Sequence, residues 1–63
     1  MIECRGRNGW FKLHEASASI YQDGRAAVRV VSKQGYRDMP PIYLEGPKEE
    51  ILALLEQLRK ELA

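Results

Sequence analysis

This sequence holds a single thiol and a single imidazole, Cys4 and His14, the first pair to consider as nucleophile and base near neutral pH. The strand register derived below puts them on opposite faces of a sheet, so they do not form a nucleophilic pair. With no second cysteine or histidine, no zinc-type ligand set is expected. Ser17, Ser19 and Ser32 have no base nearby in the sequence. Glu49-Glu50 fits helix-start chemistry better than an acid–base dyad. Gly6-Arg7-Asn8-Gly9 is too short for a phosphate-cradling loop. The residues therefore point away from an enzyme and imply no metal and no cofactor.

A second set is more informative. Arg5, Arg7, Lys12, Arg25 and Arg29 alternate with small residues and with Trp10 and Tyr21. Cations can meet phosphates, and flat rings can stack on unpaired bases, if one surface carries both. Charge is distributed to match. Residues 1–44 hold seven Lys and Arg against four Asp and Glu, whereas residues 45–63 hold three against five. A basic N-terminal part precedes an acidic C-terminal one, although the net charge is only +1.

The elements that would carry these residues can be read from turns and periodicity. Asn8-Gly9 is a type I′ hairpin signal, because that turn needs φ > 0 at both central residues. A two-residue Asn8-Gly9 loop pairs Arg7 with Trp10, Gly6 with Phe11, Arg5 with Lys12 and Cys4 with Leu13. One face then holds Ile2, Cys4, Gly6, Phe11 and Leu13; the other holds Glu3, Arg5, Arg7, Trp10, Lys12 and His14. Asp23-Gly24 marks a second hairpin. A three-residue loop with Gly24 left-handed pairs Ile20 with Ala26, Ala18 with Val28 and Ala16 with Val30. This leaves Ser17, Ser19, Tyr21, Arg25, Ala27 and Arg29 outward.

The two hairpins are out of phase by one residue, which requires a bulge or corner near His14-Glu15. Beyond Gly35 a short strand is expected within 36–39. Pro40-Pro41 lack the N–H a ladder needs and interrupt the pairing. Ile42-Tyr43-Leu44 then forms a last strand, with Tyr43 outward. Gly46 is placed as helix N-cap and Pro47 as the first helical residue. Ile51, Leu55, Leu58 and Leu62 recur at helical spacing, with Glu49 and Glu50 in the first turn and Arg59 and Lys60 near the end.

The expected fold is α+β. A curled antiparallel sheet of four to five strands, about residues 1–44, is followed by one C-terminal amphipathic helix, about 47–62, packed on the inner face of a single small domain. The expected core is Phe11, Leu13, Ile20, Val28, Val30, Ile42, Leu44, Ile51, Leu55 and Leu58. In layout alone, strands followed by a terminal helix, this resembles the single-stranded-DNA-binding transcriptional coactivators. No residue motif accompanies the likeness, and it assigns no site.

The lone cysteine excludes an internal disulfide and suggests a reducing, cytoplasmic compartment. The polar start, Met1 to Arg7, suggests no leader, and no apolar run is long enough to span a membrane. The expected function is non-catalytic binding of single-stranded nucleic acid, with Trp10 and Tyr21 stacking and Arg5, Arg7, Lys12, Arg25 and Arg29 on phosphates. The alternative is a protein-interaction or regulatory domain, homodimeric or with another protein partner. A domain this small buries only about 60% of its unfolded surface and gains from association.

Overall fold

A computed structural model describes residues 1–7 and 9–63. It shows the α+β fold: a five-stranded antiparallel sheet followed by one helix. The strands are β1 (Glu3–Gly6), β2 (Gly9–Ile20), β3 (Arg25–Gln34), β4 (Arg37–Asp38) and β5 (Ile42–Pro47), and the helix α1 is Lys48–Leu62. β3 is central. β2 lies along one side of it, with β1 beyond; β4 and β5 share the other side, one at each end.

The second hairpin has the expected register, with Ile20 opposite Ala26, Ala18 opposite Val28 and Ala16 opposite Val30. Gly24 has φ +82°, a left-handed turn position that a side chain would strain. The Tyr21 N–H donates to the Arg25 carbonyl at 2.8 Å and closes the loop. The phase change is also present. Leu13 pairs with Ser32 and Glu15 with Val31, leaving His14 as the extra residue of a bulge.

The first hairpin is displaced from the expected register. Gly6 pairs with Gly9, Arg5 with Trp10, Cys4 with Phe11 and Glu3 with Lys12. Gly9 (φ +114°) is therefore the first paired residue of β2 and not a central turn residue; Asn8 lies outside the described residues. The slip is two residues, so each side chain keeps its predicted face. It brings Arg5, in place of Arg7, opposite Trp10. The Arg5 guanidinium lies 3.8 Å from the indole centroid, a cation–π contact. What favours this register over the expected one is Glu3, in place of Arg5, opposite Lys12, an opposite-charge pair where two cations would have met.

β5 extends past the expected limit of the sheet at residue 44, to Pro47. Gly46 is in the ladder opposite Ala26, so it is not the helix cap. Pro47 occupies that position with extended backbone (φ −57°, ψ 137°), and the helix starts one residue later than expected. The Lys48 N–H donates to the Gly24 carbonyl at 3.1 Å, tying the start of the helix to the β2–β3 turn. Pro40 and Pro41 separate β4 from β5, and the pairing with β3 shifts by one residue across them.

The interior differs from expectation. The buried hydrophobic residues are Ala26, Ala27 and Val31, all on the central strand. Phe11, Leu13, Val28, Val30 and Ile51 are half-buried, whereas Ile20, Ile42, Leu44, Leu55 and Leu58 are exposed. Ala27 and Val31 lie on the outer face. Neighbours on both sides overlie a small residue of a central strand, while the large residues of the inner face depend on a helix that covers only part of them.

Candidate nucleic-acid interface

Strand pairing arranges the outer face in rows. From the β1 end they are Arg5–Trp10, then Glu3–Lys12–Lys33–Asp38 across four strands, then Glu15–Val31 at the bulge. Beyond the bulge come Ser17–Arg29–Tyr43 and Ser19–Ala27–Glu45, and finally Arg25–Pro47 beside Tyr21. Arg5, Trp10, Lys12, Tyr21, Arg25 and Arg29, all expected outward, do share this face. Arg7 sits in the turn at its end, beyond the last β1 pair.

Three of the exposed aromatics, Trp10, Tyr21 and Tyr43, have an arginine beside them. Trp10 lies under Arg5. Tyr43 is opposite Arg29, whose Nε donates to the Tyr43 hydroxyl at 3.3 Å. Tyr21 faces Arg25 across the turn, and its hydroxyl donates to Glu45 Oε1 at 3.3 Å. That last bond runs from the β2 side to β5 and passes over β3, which helps to cover Ala27. Partial desolvation, followed by the charge and hydrogen bond of Glu45, raises the Tyr21 phenol above its ordinary pKa.

Several cations are engaged already. Arg29 is 3.9 Å from Glu15, and Lys33 is 3.5 Å from Asp38. Among the described residues Arg25 and Lys12 have no ion-pair partner, although Lys12 stands opposite Glu3. The face is thus less positive than its arginine count suggests, because Glu3, Glu15, Asp38 and Glu45 are on it too.

Tyr43 and Glu45 are the members that the sequence-level site lacked. Alternation turns Tyr43 outward, but nothing local to it identifies β3 as its partner. His14 is exposed in the bulge, and Cys4 is half-buried opposite Phe11. Among the described residues no three His, Cys, Asp or Glu side chains gather as a metal site would require. Among them, too, no helix is long and apolar enough to cross a membrane.

Compared with known proteins, the chain matches no family model, no curated protein and no solved structure.

Proposed function

We propose that the protein is a non-catalytic, cytoplasmic binder of single-stranded nucleic acid that uses the outer sheet face. The observation that supports this most is the repeated pairing of an exposed aromatic with an arginine on one open surface. Trp10, Tyr21 and Tyr43 offer ring faces or edges to unpaired bases, and an adjacent guanidinium is placed for the phosphate that follows each base. Ser17, Ser19 and Ala27 within the rows keep the face low enough for a strand to lie along it. A duplex keeps its bases stacked internally and cannot use the rings in this way.

The charge pattern sharpens the expectation. Arg29 and Lys33 must leave carboxylates before they can neutralise phosphates, so stacking contributes more than charge. With about four phosphates neutralised, by Arg5, Arg7, Lys12 and Arg25, log affinity falls against log salt with a slope of about −3.

The test is a titration of the Trp10 fluorescence, the only tryptophan. Short single-stranded DNA or RNA should quench it to saturation at low salt, with partial reversal as salt is added. Duplex of the same sequence should bind more weakly. A flat titration with both single strands at low salt rejects the reading.

A further inference from the structure

The inner face is incompletely covered, and its exposure has a direction. On β5, Gly46 is buried, Leu44 is 45% exposed and Ile42 is 64% exposed. Along α1, Ile51 is half-buried and Leu62 reaches 89% exposure. Both series begin at the Pro47 junction. The helix and the sheet therefore diverge from a common hinge as the two sides of a wedge. Near its apex is an apolar cleft of about 130 Å³, between Ile20, Val28, Ile51 and Leu55. Ile20 remains 69% exposed beside it.

The surface area of the whole chain, to which the uncovered inner face contributes, is large for its size. The chain exposes 5505 Å². A folded monomer of 7.2 kDa should expose about 4,100 Å². The radius of gyration is 13.4 Å, against about 10.6 Å for a compact chain of this length. The excess of about 1,400 Å² is more than the roughly 800 Å² that each partner gives to a standard-size interface.

We propose that two copies of this chain form a two-fold dimer in which each helix fills the other's wedge. A second copy is the occupant that the surface itself specifies. Leu58 and Leu62 continue the stripe of Ile51 and Leu55 beyond the part of the sheet it covers, forming an unpartnered ridge. On the inner face of β2, the exposed Ala16 and Ala18 form a shallow trough. A two-fold contact needs one surface to supply both halves, and this one does. The contact extends between chains what Ile51 and Leu55 make with the inner face within one chain. It is independent of the nucleic-acid reading, because it uses the inner face and leaves Trp10, Tyr21 and Tyr43 free.

Sedimentation of the 63-residue chain, from low to high micromolar concentration, tests this. The unmodified chain should sediment as a dimer. Leu58→Lys combined with Leu62→Lys should weaken association by at least about tenfold, the loss of about 1.4 kcal/mol or more of apolar contact. Circular dichroism should remain native, since both side chains are already exposed. Ile20→Lys probes the opposite wall without altering the helix and should have the same effect. Trp10→Ala and Tyr43→Ala should leave association unchanged. A folded monomer at every concentration overturns the proposal. So does a dimer that survives both the helix and the Ile20 substitutions.

Discussion

The two faces of the sheet are built from the same strands, yet they leave their side chains in different conditions. On the outer face, exposed groups are engaged with one another: Arg5 on Trp10, Arg29 between Glu15 and Tyr43, Tyr21 with Glu45. On the inner face, large aliphatic groups near the open end of the wedge are exposed without a counterpart. Polar and aromatic groups can be satisfied by neighbours in the plane of a sheet, because a hydrogen bond or a ring contact needs only one partner. Apolar groups must be covered from above. An outer face can therefore be complete in one chain while an inner face is not, and the two are expected to respond differently to substitution.

The largest expected contrast is at Trp10. Trp10→Ala should cost about 1–3 kcal/mol of single-strand affinity, a factor between about 5 and about 150, by the usual value of one stacked base. Association measured in the same samples should not change. If both fall together, the faces are not separate.

Next is Gly24, the point at which the two faces share a turn. Its φ of +82° would put an L-residue in the left-handed region, so Gly24→Ala should lower stability by about 1–2 kcal/mol in urea unfolding. Because the Gly24 carbonyl accepts the Lys48 N–H, amide exchange at the start of the helix should accelerate as well. Unchanged exchange there would show that the turn and the helix are uncoupled.

A finer comparison lies within the outer face. Arg25→Gln should reduce the salt slope by about 0.7, the contribution of one phosphate contact to a single strand. Arg29→Gln should reduce it less, since Arg29 starts from an ion pair with Glu15. Equal losses would mean that the Glu15 contact does not persist in solution.

The smallest effect concerns pH. Tyr21 is held above the ordinary tyrosine pKa, first by partial desolvation and then by Glu45. The fold thus favours the neutral phenol. Its contribution is fully present below the ordinary value of about 10 and is lost as pH rises through the raised one. An NMR titration of the Tyr21 ring should show the late ionisation, and Glu45→Gln should move it back toward the ordinary value.

Much of this molecule was legible in its residues because the signals are local. Gly24 fixed the second hairpin, alternation fixed which side chains share a face, and the clash of two alternations required the bulge that leaves out His14. The acidic first turn and the spacing of Ile51, Leu55, Leu58 and Leu62 marked the helix. Alternation has a period of two, however, so it cannot distinguish registers that differ by two residues. Only the cross-strand pairs of the completed hairpin separated them, with Glu3 and not Arg5 opposite Lys12. Nor could residues 42–47 indicate their partner strand, and so the sequence left Tyr43 and Glu45 out of the site. Depth was likewise decided in three dimensions. A helical stripe shows which side chains are to be covered, but the way the helix sits on the sheet decides how many are, and here Leu58, Leu62 and Ile42 stay exposed.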